Sequence, residues 1–237
     1  MSPFSESIPN PILRRTSLAA LLLFLCWAAY ELSLANPGLF TPFFGTIHPF
    51  WPVLLTVLGL TGALRALRKS GVFYILQRAT AAVWIGHIAI IALLAGIGIL
   101  LDLTLYYPRD MHVLLPESLL FYPLMGAVAE FAFHLLPISL VAWWLNYRGS
   151  NAQWHNWPWA LAVIAMLEPS FQAFYHPYAI GFTVILWLNL YVFNLLQLQL
   201  FRNYGFWALF GSRMWYYLLW HLIWGTLRQD LLFTYGG

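Results

Sequence analysis

Charge is what this chain has least of. Only 8% of its 237 residues are Asp, Glu, Lys or Arg, and they sum to a net charge of +3. So few ionisable groups cannot solvate a globular surface, and the cations are too scattered for a nucleic-acid face, which excludes an ordinary soluble domain and a nucleic-acid-binding module. Cysteine is almost missing too. Cys26 alone closes no internal disulfide, and its apolar neighbours mark it as an inert thiol. With no internal repeat, low-complexity tract or separate soluble portion, residues 1–237 read as one polytopic domain. What remains is apolar: 62% of residues are hydrophobic and 19% aromatic. The fold class that follows is an all-α integral membrane protein.

Windows of about 20 apolar residues predict about seven transmembrane helices, near 17–35, 50–67, 80–101, 119–144, 157–176, 179–200 and 206–227. Residues 1–15 form a polar cytoplasmic lead. Ser33-Leu34-Ala35 resembles a signal-peptide cleavage pattern, but the preceding run is of spanning length and carries Trp27, Tyr30 and Glu31, so it reads as the first span. Residues 105–118 hold two prolines and are too polar to span, which suggests an interfacial segment. Arg14, Arg15, Arg65, Arg68, Lys69, Arg78, Arg148 and Arg202 fall on one side of this arrangement, and Arg109 and Arg228 on the other. By the positive-inside rule the amino terminus is expected in the cytoplasm and the carboxyl terminus outside.

Several spans carry groups that lipid does not tolerate. Glu130 lies within the fourth, where an acid costs about 2.5–3.5 kcal/mol unless it is partnered, and His134 follows on the same helix face. Glu168, Gln172 and His176 fall at i, i+4 and i+8 on the fifth, and Pro169 removes a backbone donor beside the acid. Asn189, Asn194, Gln197 and Gln199 on the sixth read as interhelical packing groups, and His221 lies on the seventh. Counted from the outer ends, Glu130, Glu168 and His221 lie about 10–17 Å deep at 1.5 Å per residue, so they are expected to meet. His48, His112 and His155 fall in loops and read as solvated. His87, beside Gly86, has no acid near it on its helix and reads as a packing histidine or, where a small neighbour leaves room, as a ligand to a flat cofactor such as a haem or chlorin.

The order of these motifs suggests a family. Ala129-Glu130-Phe131-Ala132-Phe133-His134, then Phe171-Gln172-Ala173-Phe174-Tyr175-His176, then Leu219-Trp220-His221-Leu222-Ile223-Trp224-Gly225, over about residues 119–228, resembles the CPBP superfamily of CAAX prenyl endopeptidases and bacteriocin-immunity (Abi) proteins. The resemblance implies an intramembrane endopeptidase, in the bacterial inner membrane, that acts on lipidated or transmembrane peptides. Glu130 would be its base, with His176 and His221 orienting the water or stabilising the oxyanion and no cofactor; Glu168, outside the family motifs, is the candidate substitute base, and His134 the partner of Glu130 on its own helix face. The chain departs from the pattern at the positions that matter. Ala129 stands where the family has the first of two glutamates, His134 where it has arginine, Gln172 where it has phenylalanine and Gly225 where it has asparagine. Metal ligation by Glu130, His134, His176 and His221 is the weaker reading, since no HExxH spacing is present. The alternative function is a non-catalytic membrane scaffold or accessory subunit of a larger complex, with membrane lipids and other subunits as partners.

Overall fold

Hydrophobic helices must bury their polar residues against one another and turn their apolar faces outward when the solvent is lipid. The computed structural model, which describes residues 11–69, 77, 79–149, 158–175 and 180–234, has this arrangement. Every regular element among the described residues is helical. Helix α1 spans Pro11–Ala35 and stops before Asn36-Pro37, where two short helical turns, Pro37–Phe40 and Thr41–Phe44, reverse the chain. Helix α2 covers Phe50–Lys69 and α3 covers Ala81–Leu105. The side chain of Thr80 caps α3 by accepting from the Val83 N–H, and Tyr106, at φ +50°, ends it.

Helix α4 runs through Ser118–Tyr147 as one 30-residue rod with a π-helical segment at Glu130–Leu135. Proline explains where that segment ends. Pro137 has no N–H to donate, and just before it the ladder is displaced, with the Leu136 N–H bonded to Phe131 O, five residues back. The expected fifth span is two pieces, α5 (Pro158–Ala165) and α6 (Leu167–Tyr175), broken at Met166. Pro169 is again the cause. Its missing donor leaves Ala165 O unclaimed within the helix, and Asn194 Nδ2 donates to that carbonyl at 3.4 Å. Helix α7 covers Ile180–Tyr204, and the turn at Gly205 (φ +90°) leads into α8. Helix α8 begins as Phe206–Tyr217 and continues through a π-helical stretch at Leu218–Trp224, then Gly225–Arg228 and Gln229–Thr234.

Among the described residues, five helices are long and apolar enough to cross a membrane: Thr16–Ala35 of α1, then α2, α3, α4 and α7. The other two expected spans take different forms, one broken at Met166 and the other π-helical in part and carrying Arg213 and Arg228. Leu23, Leu55, Ile85 and Leu93 are 66–73% exposed. Leaving such side chains in water forfeits about 1.5–3 kcal/mol apiece relative to burial, so this surface suits lipid. Inside, one apolar cluster joins α1, α2, α4 and the start of α8 around Leu25, Leu60, Leu124 and Phe206. A second joins α3, α7 and α8 around Ile91, Phe193, Tyr216 and Trp220, and Tyr217 packs against both. Glycine makes room for one close contact between helices. At Gly59 on α2 a Cβ would stand 2.1 Å from Phe131 Cζ on α4, so only hydrogen fits there.

Candidate functional site

Glu130 and His134 both lie in the π-helical segment of α4, and both are fully buried. His134 Nδ1–H donates to Glu130 Oε2 at 2.6 Å, so the acid and imidazole separated by four residues do meet. The group that organises everything around them was not singled out in the sequence. Arg213 of α8, 2% exposed, donates its Nε–H to Glu130 Oε1. The other edge of its guanidinium grips Glu168 of α6 in a two-pronged pair, Nη1 to Oε1 at 2.8 Å and Nη2 to Oε2 at 2.7 Å. Gln197 of α7 closes the ring. Its amide donates to Glu130 Oε1 at 2.6 Å and its carbonyl accepts from Arg213 Nη2 at 3.1 Å. Gln172 adds a donation to Glu168 Oε1 at 3.3 Å, the i+4 contact expected of that face.

Four helices thus meet at one cation. Taking an unpaired ion out of water costs several kcal/mol, and a planar guanidinium with five donors is the side chain best able to satisfy two carboxylates at once. All four carboxylate oxygens accept at least one hydrogen bond. Arg213 was legible as an arginine seven residues inside an apolar span, the same signal that marked Glu130.

His221 does not join this cluster. It is eight residues beyond Arg213 on α8, about 12 Å along the axis at 1.5 Å per residue. There its ring stacks on Tyr122 with centroids 4.4 Å apart and meets Tyr217 edge-on at 5.0 Å. Its Nδ1 lies 3.0 Å from Nδ1 of His112, so one of the two carries the proton. The expectation that His112 is solvated is corrected: it is 4% exposed, held under Trp220 and against Gly225, whose missing Cβ would touch the ring at 3.0 Å. Burial first, and the nearby Arg228 cation second, push the His112 pKa down to about 4, against a smaller upward pull from Asp102. A recess of about 90 Å³ opens beside Tyr122 and Tyr217, walled also by Ser118, Met214 and Leu222, with no acid in its lining.

A second buried ion pair ties down the 105–118 segment. Arg228, read from the sequence as a loop charge, is fully buried. It donates to Asp102 from Nε at 2.7 Å and Nη2 at 2.9 Å, and to Tyr107 O and Pro108 O at 2.6 and 3.0 Å. Trp224 Nε1–H and the Tyr107 N–H also donate to Asp102, so the carboxylate is saturated. Here the chemistry is anchoring, since every donor and acceptor is used within the fold.

His176 and His155 lie outside the described residues. His87 is half-buried, its Nδ1 2.6 Å from Val83 O of its own helix and its ring edge-on to Tyr204, with open space at Gly86. Asn189 bridges helices by donating to Leu94 O at 3.2 Å, as Asn194 does to Ala165 O. Glu31 is exposed and accepts from Trp27 Nε1 at 3.1 Å. Among the described residues no three His, Cys, Asp or Glu side chains are placed to hold a metal ion. No protein-family model matches the chain, and no curated protein or solved structure is found to be similar to it.

Proposed function

We propose that this chain is a seven-span membrane protein with its amino terminus in the cytoplasm, and that it serves as a non-catalytic scaffold or accessory subunit built on a CPBP-like bundle. The observation that carries this reading is the engagement of Glu130 and Glu168 by Arg213. A general base needs a carboxylate lone pair directed at water, and all four of these oxygens are turned to donors within the fold. Their work is to clamp α4, α6, α7 and α8 together. Ala129, at the position the family resemblance gives to the water-activating acid, is consistent with a fold kept without its reaction. The orientation gains support from Arg228, whose burial leaves Arg109 the single cation counted on the outer side.

One observation favours the peptidase reading as a second choice. Glu130, His134 and His221 all fall in π-helical segments, a geometry that recurs at functional sites. The two readings separate in proteoliposomes carrying the purified chain and either a prenylated carboxyl-terminal peptide or a transmembrane peptide. The scaffold reading expects no cleavage above the background set by Glu130→Gln. Cleavage that disappears in both Glu130→Gln and His221→Ala overturns it in favour of the peptidase.

A further inference from the structure

Apart from Arg109, exposed charge among the described residues is sorted by sign along the bundle. Arg65, Arg68 and Lys69 at the end of α2, with Arg148 just past the end of α4, are exposed. Helices α2 and α4 are packed together, with Ser139 Oγ donating to Ala63 O at 3.4 Å, and both run toward this end. The acids lie elsewhere. Asp102, Glu130 and Glu168 are buried in ion pairs, and Glu31, Asp110, Glu117 and Asp230 stand at the other ends of their helices and in the loop that α3 enters. Glu6 lies outside the described residues. Among the described residues no ion pair involves Arg65, Arg68 or Lys69.

Those three cations also border an open recess. A recess of about 610 Å³ is lined by Gly62, Arg65, Ala66, Arg68 and Lys69. Gly62, Arg65, Ala66 and Lys69 follow the i, i+3, i+4, i+7 spacing of one helix face, so two small residues lie beside Arg65 and Lys69, with Arg68 further round the helix. Going back along α2, the same face carries Leu55 and Leu58, 67% and 61% exposed. A stripe therefore runs from bare leucine to bare cation over about 20 Å, on a helix apolar enough to span lipid.

We propose that this stripe binds one anionic phospholipid, with the headgroup phosphate held among Arg65, Arg68 and Lys69 and an acyl chain lying along Leu58 and Leu55. The charge selects an anion, and the adjoining apolar face selects a lipid over free phosphate. Two or three cations acting on one headgroup strengthen binding by about thirtyfold to a hundred-and-sixtyfold over a zwitterionic lipid.

The test is native mass spectrometry of the full chain in detergent, titrated with phosphatidylglycerol or phosphatidylcholine of identical acyl chains. The wild type is expected to retain one phosphatidylglycerol at least tenfold better than phosphatidylcholine. The variant R65Q/R68Q/K69Q loses that preference, while R65K/R68K and the neighbouring R148Q keep it. The changed side chains are exposed, and an unaltered thermal midpoint of the triple variant shows that loss of lipid is not loss of fold. Equal retention of the two lipids, or an unchanged preference in the triple variant, overturns the proposal. Displacement of the bound lipid by millimolar inorganic phosphate also overturns it, by making a free anion the occupant.

Discussion

Replacing Arg213 with methionine removes the cation and keeps the length of its stem. Glu168 then retains only the Gln172 amide at 3.3 Å, and Glu130 keeps His134 and Gln197. Removing one partner of a buried ion pair costs about 3–5 kcal/mol, because the remaining charge has no solvent to turn to. At about 1.4 kcal/mol per decade, the folded-to-unfolded ratio falls by roughly two to four orders of magnitude. The 13 tryptophans supply the signal, and SDS titration in mixed micelles supplies the transition. The double variant Arg213→Met/Glu168→Met removes the stranded carboxylate and is expected to be more stable than Arg213→Met alone, since an apolar pair can replace a buried ionic one at little cost. A loss below about 1 kcal/mol for Arg213→Met, or simple additivity in the cycle, refutes the clamp.

Three other outcomes follow from particular contacts. Asp102→Asn should cost about 3–5 kcal/mol and speed tryptic cleavage at the exposed Arg109, because Arg228, which holds the 105–118 segment through Tyr107 O and Pro108 O, then loses its charge partner. With His112 at about 4 in the fold against 6.5 in the open chain, the unfolded state takes up a proton that the folded state refuses. Stability should therefore fall by up to about 3 kcal/mol as pH drops from about 6.5 to about 4, and His112→Asn should flatten that part of the profile. Gly59→Ala should destabilise by about 1–3 kcal/mol through the clash with Phe131, with partial recovery in Gly59→Ala/Phe131→Leu, both read from the thermal midpoint.

What could be read without coordinates was local. Glu130 and His134 are one helical turn apart, so their contact depends only on helix geometry. The break beside Pro169 follows from a missing donor in the same helix, and the apolar windows follow from composition. The pairing of Arg213 was not legible because its partners lie 83 and 45 residues away, nor was that of Asp102, because Arg228 lies 126 residues on. His112 misled for the same reason: a histidine in a proline-bordered segment reads as solvated unless one knows that α8 packs over it.

The sequence by itself determined that this chain is helical, suited to lipid, and burdened with acids and imidazoles that need partners. Those properties depend on the cost of each side chain in hydrocarbon and on the 3.6-residue turn, which neighbours in the chain already define. Only the tertiary structure decided that Glu130 and Glu168 share one arginine and that His221, at a depth that suggested a common site, pairs with His112 instead. Counting residues gives a height along the membrane normal. Which helices stand side by side, and which face each one turns inward, comes from how the whole bundle packs.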